Sequence, residues 1–348
     1  MRYVLFILVF GSLSHLKAQT KDTTFFDKTR QALQTTFGEK PTLKRDLFFE
    51  YLKNANEPSY ITFIDNYKPT TTLTPSLRAE DGKDIVIEGH LAPSYYIIKP
   101  QSNKLGMALS FQGAFTLRLV KDESSPMIPP SNKAGFRFDY LMGTDGIFTT
   151  FFTSELMHYS NGGSPGSIDS LLLDTQGILR NDYVKGDFST NYLRLGQTLI
   201  FNTRYFGQKN YLHAYLYYQR DMHINDLLNY FPIQEGRYGY HRIGTSLVLS
   251  STWLGLFSKK EHFATLRYEP TIILDKAEIL GETGTSNRMA NKLQIIISAP
   301  VLGETGIFTQ FYWGRDYLNI RYDLPVFYWS FGAAFNSMPE FTQLIKAR

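Results

Sequence analysis

Along most of this chain apolar and polar residues alternate with a period of two. In "NYLRLGQTL" one face carries Asn191, Leu193, Leu195 and Leu199, and the other carries Tyr192, Arg194 and Thr198. In "GIFTTFFTSELMHYS" one face holds Phe148, Phe152, Leu156, His158 and Ser160, and Thr149, Thr153 and Glu155 fall on the opposite one. Neighbouring strand residues point to opposite faces, so these segments predict strands with one apolar side. Similar stretches recur at "PSYYIIKP", "LGMALSFQGAFTLRLVK", "AGFRFDYLM", "NYLHAYLYYQRDM", "GYHRIGTSLVLSSTW", "HFATLRYEPTIIL", "NKLQIIISAPVL", "GIFTQFYWGRDYLNIRYD" and "VFYWSFGAAF". Turn material such as "GTDG", "FGQKN" and "LGETG" separates them. The count comes to about ten to twelve strands, each long enough to cross a bilayer when tilted.

The texture before about Glu88 is different. "TTFFDKTRQALQTTF" has helix-like spacing at Phe26, Ala32, Leu33 and Phe37, and the following stretch is mixed and punctuated by proline. The chain opens with Arg2, a short apolar run from Tyr3 to Gly11 and a small residue, Ala18, which is the pattern of a secretory signal peptide. The expected organisation is a signal peptide over 1–18, a partly helical or disordered periplasmic extension over 19–89, a barrel over 90–336 and a C-terminal tail over 337–348. No apolar run reaches the length of a membrane-spanning helix.

Composition narrows the class. There is no cysteine, which excludes a disulfide scaffold and a lipid-anchored lipoprotein. The chain has 23 Tyr and 27 Phe, as the aromatic girdles of a membrane barrel require. An exported, aromatic-rich chain with alternating strands predicts an all-β fold: a transmembrane antiparallel β-barrel of about twelve strands in a bacterial outer membrane. A secreted all-β domain is the alternative. The net charge of +4 is too small to suggest nucleic acid as a partner.

The faces then place the chemistry. Arg194 would be costly against lipid, so its leucine-bearing opposite face is the outer one. By the same argument Glu155 faces the lumen and His158 and Ser160 face outward. Residues two apart on a strand project from one face about 7 Å apart. A His and a Ser so placed can lean together for acyl transfer, with Ser160 as nucleophile and His158 as general base. The next strand brings Asn191 to the same face, where its carbonyl can hold the His158 tautomer. A His-x-Ser before a turn is more often only a polar strand end. The lipid-facing position and the third member weigh against that here. His90, His213, His223, His241 and His262 show no metal-ligand spacing and read as lumen, girdle or loop residues.

"HYSNGG" followed by "STNYLRL" resembles the outer-membrane phospholipase A family, whose pattern is His-x-Ser-Asn-Gly and then an Asn opening the next strand. "IFTQFYWGRDYLNIRYD" and "LAPSYYIIKP" are similar to other strands of that family. The resemblance runs from about His90 to Phe335, and only the His158–Gly162 block is specific. It implies a twelve-stranded barrel with its active site on the outer wall. It also implies Ca2+-dependent hydrolysis of glycerophospholipid acyl esters, activated by formation of a homodimer. His158, Ser160 and Asn191 match the family's base, nucleophile and orienting residue. Gly163 stands where the family usually has Arg, and the 163–186 connection is longer than usual. Ser125, Ser164, Ser167 and Asp169 are the conceivable calcium contributors. Two other readings stand beside this one. A lipid A deacylase-like esterase has a similar motif but an acidic third residue and a smaller barrel. A non-catalytic barrel, a pore or a structural protein, needs no site.

Overall fold

The computed structural model describes residues 52, 56–69, 85–99, 106–120, 127–145, 148–161, 171–173, 179–181, 188–205, 208–222, 238–254, 261–275, 288–298, 305–316 and 325–335. Fifteen strands follow one another: β1 (Ser59–Pro69), β2 (Ile85–Leu91), β3 (Ser94–Ile98), β4 (Met107–Val120), β5 (Met127–Asp145), β6 (Phe148–Ser160), β7 (Leu171–Leu173), β8 (Leu179–Asn181), β9 (Ser189–Tyr205), β10 (Gln208–Met222), β11 (His241–Leu254), β12 (Glu261–Ile273), β13 (Met289–Ser298), β14 (Thr305–Arg315) and β15 (Pro325–Phe335). All pairings are antiparallel between neighbours, and β1 closes the sheet by pairing with β15 on one side and β2 on the other. β2 and β3 both lie against β4, so they form one stave broken at Ala92 and Pro93. The result is a closed barrel of twelve staves, with β7 and β8 as a separate small hairpin.

Closure leaves no unpaired edge, which is the condition for strands to cross a bilayer. The alternation then separates two environments. Ile61, Phe63, Phe111, Phe136, Leu216, Leu247, Leu249, Phe311 and Phe331 point out and are exposed. Inside, charges answer one another. Arg118 bonds Glu88 at 2.6 Å and Asp316 at 2.7 Å, all three side chains lying in the lumen. Arg137 bonds Asp139 at 2.9 Å, and Arg194 bonds Glu155 at 3.0 Å. These groups leave an internal cavity of about 280 Å³.

The expected start of the barrel at His90 is corrected. β1, well before His90, is a full stave, and β2 begins at Ile85. Nor are the described residues just ahead of β1 a free periplasmic extension. They sit in the lumen: the Asn56 carbonyl accepts from Arg267 at 2.6 Å, and Glu57 lies 3.3 Å from both Lys292 and His90. These partners come from β12, β13 and β2 on different sides of the wall. β5 also starts earlier than its apolar run, at Met127, and runs through Pro129 and Pro130 where its register with β4 shifts. A bulge accommodates prolines that a regular central strand would reject. The signal peptide and the C-terminal tail lie outside the described residues.

Candidate active site on the outer wall

β6 carries the candidate residues on its outward face. Glu155, Met157 and Tyr159 line the lumen, whereas Leu156 is 44% exposed and His158 and Ser160 share its side. β9 is the next stave, with Leu156 opposite Leu193, His158 opposite Asn191 and Ser160 opposite Ser189. Directly opposed residues on one face are the closest side-chain neighbours a sheet offers.

The structure joins His158 to Asn191. The His158 Nδ1 donates to Asn191 Oδ1 at 3.0 Å. Asn191 is 1% exposed and His158 is half-buried above it. A proton held on Nδ1 leaves Nε2 as the basic nitrogen. Ser160 stands one same-face step away and has no hydrogen bond to His158. Nucleophile–base contacts of this kind are commonly looser before substrate binds.

The trio is held from behind. Met157, Tyr159, Tyr192, Phe188 and Tyr238 form an apolar cluster on the lumen side of the same stretch. Tyr159 meets Phe188 edge-on at 5.9 Å, and Phe188 meets Tyr238 at 5.0 Å. Below the cluster Glu155 bonds Arg194, tying β6 to β9 by an ion pair. Past Ser160 the buried Asn161 closes the ladder: its side-chain oxygen accepts from Phe188 N at 2.9 Å, and its own N–H donates to Phe188 O at 3.2 Å. Gly135 on β5 faces Met157, and a Cβ there would collide with the Leu156 carbonyl and the Met157 backbone. A larger residue would push β6 out of line beside His158.

Among the described residues, no group of three or more His, Asp or Glu is placed to hold a metal ion. The polar neighbours of the trio, Asn132 and Ser189, bring no carboxylate. Such a set does not make a calcium site, because a hard divalent cation takes six to eight oxygens, carboxylates prominent among them. Ser125, Ser164, Ser167 and Asp169 lie outside the described residues. Sequence reasoning did not identify Asn161 as the clasp at the base of the 163–186 connection, although its place between Ser160 and a glycine pair was visible.

A closed antiparallel barrel with an apolar outer surface and a charged lumen defines the class: this is an outer-membrane β-barrel. No protein-family model matches the chain, and no curated protein does. Solved structures similar to it include the outer membrane phospholipase A of Escherichia coli, at 12% identity and a TM-score of 0.49, covering 83% of this chain and 97% of that one. The Salmonella typhi outer membrane phospholipase dimer with bound calcium matches at 12% identity and a TM-score of 0.47, covering 80% and 91%. The β-domain of the Bordetella autotransporter BrkA matches at 11% identity and a TM-score of 0.34, covering 81% and 99%. Phospholipase and autotransporter barrels stand together here, so likeness of shape assigns no activity.

Proposed function

We propose that this barrel is an outer-membrane phospholipase that hydrolyses acyl esters of glycerophospholipids on its outer wall. The observation that carries the reading is the bond between His158 Nδ1 and Asn191 Oδ1 on the lipid-facing side, with Ser160 two residues along the same strand. An ionisable residue facing lipid is costly and calls for a purpose.

In this reading His158 Nε2 takes the Ser160 proton as the hydroxyl oxygen attacks the ester carbonyl. The tetrahedral intermediate collapses as His158 returns the proton to the departing glycerol oxygen. Water, activated by the same imidazole, then cleaves the acyl-Ser160 ester and releases a fatty acid. Asn191 keeps Nδ1 protonated and the ring oriented throughout, and being neutral it is less costly than Asp beside hydrocarbon. A second copy of the chain covering this face would turn an open surface into a cleft for the acyl chain, so a homodimer is the proposed active form.

A pore function is disfavoured by the lumen, where Arg118 donates to both Glu88 and Asp316 and none of the three side chains is exposed. The test is hydrolysis of short-chain phosphatidylcholine by the purified full chain in detergent, with calcium and with chelator. Wild type releases fatty acid and Ser160→Ala does not. Equal rates for the two proteins contradict the proposal.

A further inference from the structure

Most described arginines of this barrel are answered. Arg118, Arg137, Arg194 and Arg267 point into the lumen and are paired with carboxylates, and Arg242 bonds Tyr238 at 2.9 Å. Arg220 is different. Its neighbours on β10, Gln219 and Asp221, are buried in the lumen, while Leu216, which shares its face, is 49% exposed. Arg220 is therefore on the outer wall, exposed, and without an ion pair among the described residues. A guanidinium facing the bilayer centre is costly, whereas one near headgroup level meets the phosphates of the lipids.

Register gives its position relative to the candidate nucleophile. Arg220 is opposite Leu193 on β9, and Leu193 is opposite Leu156 on β6. Arg220 is thus level with Leu156, one same-face step from His158 and two staves across. Two strand spacings and one same-face step put the Cα atoms of Arg220 and His158 about 12 Å apart. The long Arg220 stem covers part of that gap. On the far side Arg220 is opposite His241, whose Nδ1 lies 2.5 Å from the Tyr218 hydroxyl, the two rings stacked. Three polar side chains so cluster on one patch of a mostly apolar wall. The patch lies at the barrel end where the connections 161–188 and 223–240 are long, against 146–147 and 206–207 at the other. Longer connections mark the extracellular side, so the patch belongs near headgroup level there.

We propose that Arg220, with His241 beside it, is the phosphate-recognising element of the outer wall. It holds the phosphate diester of a glycerophospholipid whose acyl ester reaches Ser160. This rests on the reading of Ser160 as the nucleophile and names the residues that select its substrate. The covalent layout of such a lipid fits: phosphate and ester carbonyl are separated by a few bonds of the glycerol backbone. Guanidinium matches phosphate oxygens in a bidentate way that an ammonium does not.

Binding is measured first, on the folded full chain carrying Ser160→Ala in detergent. The probes are dihexanoyl phosphatidylcholine, dihexanoylglycerol and inorganic phosphate. Adding Arg220→Gln should weaken the phosphatidylcholine about tenfold or more, as loss of a charge-assisted hydrogen bond does, and dihexanoylglycerol by far less. Arg220→Lys should fall between. No loss, equal loss for both lipids, or no binding of the phospholipid at all overturns the proposal. Inorganic phosphate held as tightly as the lipid also overturns it, since the patch would then be a free-anion site. In the Ser160-intact protein, Arg220→Gln should lower the ratio of kcat/KM for phosphatidylcholine to that for an uncharged ester about tenfold. If Ser160→Ala hydrolyses lipid as wild type does, the catalytic reading fails while the binding measurement still decides the role of Arg220.

Discussion

The two faces of β6 carry the same kinds of residue under opposite rules. Inside, Glu155 meets Arg194 at 3.0 Å and Arg137 at 3.8 Å, and Thr153 donates to Asp139 at 2.7 Å. Outside, one hydrogen bond joins His158 to Asn191, and Ser160 beside it has no hydrogen-bond partner among the described residues. In the lumen polar groups are consumed in holding the wall, because a buried charge without a partner is costly. On the lipid face Asn191 holds the His158 ring, with Ser160 two residues along the same strand. On the proposed reading, that contrast separates polar residues that close a structure from polar residues arranged to react.

The contrast can be broken most severely at Ser160. On the proposed reading Ser160→Ala lowers phospholipid hydrolysis by about a thousandfold or more while the melting temperature in detergent stays put. A large loss of stability would instead make Ser160 a structural residue. Next, Glu155→Leu should cost about 3 kcal/mol in unfolding by denaturant, because it leaves Arg194 and Arg137 short of a partner. The fraction that folds should keep most of its activity. Asn191→Ala should lower turnover by about ten- to a hundredfold, less than Ser160→Ala, since base and nucleophile remain in place. Loss equal to that of Ser160→Ala would give Asn191 more than an orienting role.

The smallest effect should come from the other histidine of interest. His213 is buried in the lumen wall, and neither ring nitrogen has a hydrogen-bond partner among the described residues. Replacing such a group by an apolar one is close to neutral or stabilising. His213→Leu should therefore change stability by less than about 1 kcal/mol and leave hydrolysis as it was, whereas His158→Leu should abolish hydrolysis.

The division between faces was legible where one side of a strand is apolar and the other charged. Arg194 and Glu155 marked the lumen, and that fixed His158, Ser160 and Asn191 outward, where the structure has them. β1 was hidden for the opposite reason. Tyr60 and Ile64 face in while Ile61 and Phe63 face out, so both sides are apolar and the period of two disappears. The prolines of β5 concealed its first residues, because a bulge that absorbs proline depends on the partner strand and cannot be seen in one segment. The lumen position of Asn56 and Glu57 depends on Arg267, His90 and Lys292, all distant in sequence. The His158–Asn191 pairing was foreseen because a hairpin relation between β6 and β9 sufficed. The clasp of Asn161 on Phe188 was not, since it needs the register itself.

The most direct test of an activated serine on the outer wall is covalent labelling of the folded full chain with an alkyl sulfonyl fluoride, located by peptide mass. A serine made nucleophilic by a neighbouring imidazole reacts far faster than other surface hydroxyls. The account predicts a single adduct, on Ser160, that is absent in His158→Ala and formed more slowly in Asn191→Ala. A folded barrel that stays unlabelled, or one labelled at Ser160 equally well without His158, would contradict it.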